Sequence, residues 1–362
     1  MAAFSRPFHV RTALVLAVTL GASPAVAQTK RKVFIDQDYA RPTGTDAQSS
    51  LALLQSPDVD VVGMTVTAGD GWAKLGTAVA LRMLELTGHA QVPLAMGGEF
   101  PLVNTREETL HWEQQFGAFG YKGAWNERGY HGPAEVPALE QGLPTTKAVS
   151  KHGALLLIET LRRFPGEVTL WVGGPMTTVA LAIKLDPDVP ALAKELVLMG
   201  GGFNVDKGGN HRINGRREFN WWWDPEATRI VMSSNWKKIT MTPVDISVKT
   251  NLPEASWATI ARSSSKAAQY LTKFRPKPTS AVEASGYMWD EIAAVAWLDP
   301  SLITKQDEVY VNIDIDHGAG YGQTIFIEKD VKAPAWFWKL ATVQWDLDAP
   351  RFYKAFVDLM CR

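Results

Sequence analysis

Asp36, Asp38, Asp46 and Asp70 fall at or just beyond the ends of two short apolar runs, and glycine turns (Gly173-Gly174 and Gly200-Gly201-Gly202) follow two others. Singly, an Asp in such a place caps a helix or makes a turn, and Asp46 at the start of a helix-period segment suits that role. As a set, acids crowded beside short loops repel one another unless a cation sits among them. Cys361 is the one cysteine, so a Cys-rich zinc site or an iron–sulfur cluster is excluded. Carboxylates with backbone carbonyls suit a hard cation, calcium or magnesium. A bound cation lowers the pKa of its water, and a neighbouring carboxylate can complete the deprotonation.

The elements that must position these acids follow from hydrophobic periodicity. Strands are predicted at Lys32–Asp36, Val59–Thr67, Val92–Met96, Val168–Val172, Glu195–Met199 and Lys238–Thr242. Between them, helices are predicted at Asp46–Gln55, Trp72–Thr87, Gly153–Arg163, Thr178–Lys184 and Asp224–Ser233, with a long Gly- and aromatic-rich loop from Phe116 to Gln141. Short, nearly continuous apolar strands alternating with helices argue for an α/β fold, a single open, mostly parallel sheet covered by helices on both faces. Ligands of such a sheet bind outside the carboxyl ends of its strands, where the acids and glycine turns converge.

Composition narrows the function classes. The chain has 362 residues with 37 Lys+Arg against 38 Asp+Glu, a formal net charge of −1, which gives no electrostatic reason to expect nucleic acid or an anionic membrane. Hydrophobic residues at 46% and charged residues at 21% exclude wholesale disorder. Arg6 and Arg11, the apolar run Thr12–Val26, and Ala25-Val26-Ala27 before Gln28 read as a signal peptide over residues 1–27. The expectation is an exported protein, periplasmic or secreted, whose residues 28–362 form one catalytic domain with no membrane association after cleavage.

The segment Val33-Phe-Ile-Asp36-Gln-Asp38, followed by Gly44-Thr45-Asp46-Ala47, resembles the N-terminal Asp cluster of the inosine–uridine nucleoside hydrolase family. Further blocks in the same order are TVTAGD (65–70), VGGPMTTVALAIKLDP (172–187), LVLMGGG with EFNWWWDPEA (196–227) and MWDEIAAVAWLDP (288–300). The resemblance implies one calcium ion held by Asp38, Asp46, Asp290 and the Gly173 carbonyl, with Asp38 also taking the proton of the attacking water. It implies sugar contacts from Glu218, Asn220, Met199 and Asn210, with Asn214 as the alternative to Asn210, and it places Asp36 within the acid cluster. The reaction implied is hydrolysis of the N-glycosidic bond of a ribonucleoside or related N-ribosyl compound, through an oxocarbenium-like state. A small nucleoside-like substrate and a homodimer or homotetramer are implied with it.

The chain departs from that pattern at several places. Tyr39-Ala-Arg-Pro-Thr43 is inserted, Thr45 replaces the acid that grips the ribose, Asp70 stands where an Asn is usual, and Trp289 replaces a His that can assist departure of the base. Thr45 remains a substrate-binding candidate; Asp70 is expected to take over the sugar-hydroxyl contact once made from position 45, and with Trp289 either the leaving group is stacked or its proton comes from elsewhere. Glu218 could instead pair with Arg216 or Arg217. Trp221-Trp222-Trp223 reads as a buried strand, and His131 as a surface histidine. Two other functions compete: a phosphohydrolase using Asp36 and Asp38, which normally wants Thr or Val where Ala40 stands, and a binding protein that kept the fold without the chemistry. Metal content and turnover separate the three.

Overall fold

The computed structural model describes residues 1–3, 29–126, 131–203, 216–275, 286–331 and 337–362. The signal-peptide expectation therefore lies almost wholly outside the described residues, as do Asn210 and Asn214. No helix among the described residues is long and apolar enough to cross a membrane.

Among the described residues nine strands form one sheet: β1 (Arg31–Gln37), β2 (Val59–Val66), β3 (Leu94–Met96), β4 (Val168–Val172), β5 (Glu195–Met199), β6 (Ile239–Thr242), β7 (Ile303–Ile313), β8 (Thr324–Glu328) and β9 (Lys339–Leu347). Their spatial order is β3-β2-β1-β4-β5-β6-β9-β7-β8. Pairing is parallel from β3 to β9, and only β7 runs against the rest. The expected open, mostly parallel sheet is what forms.

Alternation along β1 explains why both faces carry helices. Val33 and Ile35 belong to a core with Leu51, Val79, Ile292 and Phe352, whereas Phe34 belongs to a core with Leu157, Val179 and Val231. A strand with two apolar faces must be covered twice. The helices Thr45–Gln55, Ala73–Thr87, Asp290–Leu298 and Ala349–Met360 supply the first face, and Gly153–Arg163, Thr177–Leu185 and Pro225–Met232 the second.

Three features were not anticipated. Trp221, Trp222 and Trp223 are buried, as expected, but in the short helix Phe219–Trp223, not in a strand; Glu218 caps its first turn, Trp221 enters the second-face core, and Trp222 and Trp223 pack on Trp125 of the long loop. The helix Arg106–Phe116 has a low apolar content that hid it, yet the Thr105 Oγ1 accepts from the Glu108 amide at 3.1 Å in an ordinary N-cap. Last, β7, β8 and β9 extend the sheet past β6. Polar residues on β7, with Thr304–Glu308 exposed, break the apolar run by which a strand is recognised.

Topology places the site. The chain runs outward from β1 to β2 and β3, then crosses to β4 on the other side of β1 and continues outward through β5 and β6. The gap between β1 and β4 is thus the switch point where an open sheet leaves a crevice, and it is opened by Asp38 on one side and Gly173-Gly174 on the other, joined by the Gly173 amide on the Asp36 carbonyl at 2.9 Å.

Candidate active site

Asp38 lies one residue beyond β1 and is walled in by backbone. Its Oδ2 accepts from the Asp70 amide at 2.7 Å, its own amide donates to Gln37 Oε1 at 3.2 Å, and its carbonyl accepts from the Gly71 amide at 3.2 Å. A Cβ at Gly69 would stand 2.1 Å from Asp38 Oδ2, and one at Gly174 2.8 Å from Oδ1. Two residues without side chains are therefore needed to seat this one carboxylate.

Asp46 and Asp290 enter from the first turns of two packed helices, Thr45–Gln55 and Asp290–Leu298, where free amides and the helix dipole favour negative charge. Gln37 Nε2 reaches across from β1 to Asp290 Oδ2 at 2.8 Å. Thr45 joins the same two helices: its hydroxyl donates to Glu291 Oε2 at 2.6 Å and accepts from the Asp290 amide at 3.1 Å. Trp289 is half-buried beside them, edge-on to Tyr287 with ring centroids 5.4 Å apart.

On the β4–β5 side, Glu218 makes no pair with Arg217. It caps its own helix, accepting from the Asn220 amide at 2.9 Å and the Trp221 amide at 3.2 Å, and it accepts from the Gly201 amide at 2.9 Å. Arg217 turns instead to the Tyr321 carbonyl at 2.7 Å and lies over the Trp112 ring. Asn220 Nδ2 donates to the Gly173 carbonyl at 2.7 Å and approaches Met199 through its carbonyl at 3.4 Å and its sulfur at 3.6 Å. Asp36 sits just beneath, its Oδ1 accepting from Thr65 Oγ1 at 2.6 Å.

The acids interact strongly. Burial, then the charges of Asp70, Asp46 and Asp290, hold Asp38 well above the usual carboxylate range. Burial and Asp70 push Asp46 up to about 8, against relief from Arg41. Burial, Asp46 and Glu291 raise Asp290 well above its ordinary value, and burial raises Asp36, Glu218 and Glu291 to about 7. Among the described residues no group of three or more histidines, cysteines or acids is placed to hold a metal ion by itself. The acids are nevertheless close enough to repel through a low-dielectric interior, and repulsion of this kind is relieved by protons or by a cation. The donor set at hand, three carboxylates, a backbone carbonyl and no thiol, fits a hard divalent cation.

Several partners here escaped the sequence reading. Gln37 sits between two acids that drew attention, although its place on the Val33–Ile35 face of β1 marks it as a buried amide needing partners. Arg41 lies in the inserted stretch, and Glu291 beside a stronger candidate. Tyr121 comes from the long loop, whose anchors to the site (Ala124 amide to Gly69 carbonyl, 2.9 Å; Trp72 Nε1 to His131 carbonyl, 2.8 Å) join residues far apart in the chain. His131 is half-buried rather than at the surface, held by that bond from Trp72.

With this geometry in view, comparison with known proteins is direct. The model of the inosine-uridine preferring nucleoside hydrolase family matches residues 33–354. A probable uridine nucleosidase of Arabidopsis thaliana is 30% identical over 285 residues, covering 77% of this chain and 81% of that one. The pyrimidine-specific ribonucleoside hydrolase RihB of Escherichia coli is 27% identical over 328 residues, 86% and 96% of the two chains. Among solved structures, a plant nucleoside hydrolase superposes with a TM-score of 0.73 at 25% identity, covering 91% of this chain and 99% of its own. The chain belongs to the inosine-uridine preferring nucleoside hydrolase family and is a hydrolase acting on N-glycosyl bonds of ribonucleosides. That membership sets aside the phosphohydrolase reading. The family is one of metal-dependent hydrolases that use a divalent cation.

Proposed function

We propose that the protein hydrolyses the N-glycosidic bond of a ribonucleoside with calcium as its cation, Asp38 serving as the general base. The observation that supports this reading is the burial and mutual repulsion of Asp38, Asp46 and Asp290 at the β1–β4 switch point, where Gly173 follows the end of β4. Asp38, Asp46, Asp290 and the Gly173 carbonyl would hold the ion. When bound, it would lower the pKa of a coordinated water, so that a neighbouring carboxylate could complete the deprotonation. Asp38, fixed by the Asp70 amide and by Gly69 and Gly174, accepts a proton from the water that attacks the anomeric carbon. Glu218, Asn220, Met199 and Asp70 line the sugar side; the family resemblance would add Asn210, or Asn214 in its place, both outside the described residues. The Thr45 hydroxyl is taken up by Glu291 and Asp290, which leaves Asp70 as the nearby carboxylate able to accept from a sugar hydroxyl. The half-buried Trp289 offers its ring to the departing base.

The test is release of reducing sugar from a panel of purine and pyrimidine nucleosides, with and without chelator, beside Asp38→Ala. Release that stops on chelation, returns with calcium and is abolished in the variant is the expected result. Calcium bound with no nucleoside cleaved would sink the reading. We also propose that residues 1–27 direct export, that residues 28–362 are the mature catalytic domain, and that it assembles as a homodimer or homotetramer. Mass spectrometry of the exported protein should find its first residue to be Gln28, and light scattering gives the assembly state.

A further inference from the structure

Tyr121, in the long loop, is half-buried with its hydroxyl within hydrogen-bonding reach of the Asp70 carboxylate, where the charges of Arg41 and Asp38 are also felt. Its ring meets Phe219 edge-on, with centroids 4.9 Å apart, and Phe219 opens the short helix that carries Asn220. The segment around it is fixed to the site. The Ala124 amide donates to the Gly69 carbonyl at 2.9 Å, next to Asp70. Gly123 has φ +52°, and a Cβ there would stand 2.3 Å from the Gly69 carbonyl oxygen and 2.4 Å from Phe219 Cζ. On the other side, Lys122 pairs with Glu113 at 2.9 Å. Asp70 is thus held twice: its amide by Asp38 at 2.7 Å, and its carboxylate by a tyrosine from a different part of the chain.

The geometry points to Tyr121 as the positioning residue that aims the Asp70 carboxylate at the sugar, and so as a determinant of which sugar the site accepts. This rests on the ribosyl-hydrolase reading above. Burial and the neighbouring acids hold the phenol protonated, so it donates to Asp70. A carboxylate accepts at two oxygens; with one direction taken by the phenol, the remaining lone pairs have a set orientation for a sugar O–H. A sugar lacking that hydroxyl leaves Asp70 with one partner fewer, and a site built to hydrogen-bond a hydroxyl discriminates against the analogue that lacks it.

Tyr121→Phe keeps the ring on Phe219 and removes only the O–H. With uridine as substrate we expect KM to rise and kcat/KM to fall by about tenfold, the size of one hydrogen bond to a charged group, while kcat and Tm stay close to wild type. The preference for uridine over either 2′-deoxyuridine or 3′-deoxyuridine should fall by a similar factor. In an Asp70→Asn background the same change should cost less than about twofold, because the two residues act as a pair. An equal loss in both backgrounds, or a lowered Tm with unchanged KM, would show that Tyr121 only packs. Calorimetric titration with uridine gives a second readout. Should wild type bind uridine without cleaving it, the hydrolase reading fails alone, and the shift in Kd for Tyr121→Phe still decides the role of Tyr121.

Discussion

Gln37 does its work by holding another side chain. Its Nε2 donates to Asp290 Oδ2 while its Oε1 takes the Asp38 amide, so one amide orients two acids that approach from opposite ends of the chain. Residues that orient metal ligands typically contribute 10- to 100-fold to affinity. Gln37→Ala should therefore weaken calcium binding by about that factor, measured by calorimetry on the chelated and dialysed protein; an unchanged Kd would remove Gln37 from the site. Asp70 carries a different prediction. If it grips the sugar in place of Thr45, Asp70→Asn should raise KM for nucleosides by about tenfold or more. Turnover and KM both left intact would mean that Asp70 does not grip the sugar. The Asp70 prediction does not depend on stability, since the Asp38 Oδ2 contact is with the backbone of residue 70 and survives the substitution.

Elements meet at this site by close backbone approach, and the glycines show where. Gly69→Ala would press a Cβ to within 2.1 Å of Asp38 Oδ2 and 2.7 Å of the Pro175 ring. Since backbone lies behind the acid on the Gly174 side, Asp38 must shift. Displacement of a reacting group by about 1 Å can cost 10²-fold, so kcat/KM should fall by at least about that factor while circular dichroism stays that of a folded α/β protein. Gly123→Ala is the matching test of the loop. It combines a left-handed backbone, costing on the order of 1–3 kcal/mol for another residue, with contacts on both Gly69 and Phe219. The expected outcome is a lower Tm together with a raised KM, because the strand-end turn that carries Asp70 and the helix that carries Asn220 are both anchored there. A change in Tm alone would mean that the loop is a cover with no part in binding.

At the scale of the molecule, buried acid dominates the electrostatics. Burial raises Glu218 to about 7 and Asp224 to about 6, although each accepts several hydrogen bonds. A carboxyl whose folded pKa is raised adds stability that is fully present below its unfolded value, near 4, and is lost as pH climbs through the folded value. In chelator, Tm should accordingly fall between about pH 4 and pH 8. Calcium needs its ligands ionised, so added calcium should raise Tm more at pH 8 than at pH 5. A Tm in chelator that rises with pH would show that the acids are relieved by internal partners. Burial and hydrogen bonding compete here, and the raised values say that burial wins.

What the amino-acid order determined by itself is local. Runs such as Val168–Val172 and Glu195–Met199 are apolar on both faces, and that alone specifies a buried parallel strand with helices above and below. The placement of Asp36, Asp38 and Gly173 at strand ends likewise follows from periodicity, and a shared order of short blocks sufficed to indicate the family. The antiparallel extension beyond β6 was less legible, because strands near an edge carry polar residues that blur alternation. Which side chains meet was decided only by tertiary structure. Thr45 faces Glu291, Gln37 spans Asp38 and Asp290, and Tyr121 reaches Asp70 across 51 positions of chain. Such pairings depend on strand order, on helix packing, and on glycines that let two backbones touch. None of these leaves a periodic trace in sequence, because each joins residues with no fixed spacing between them.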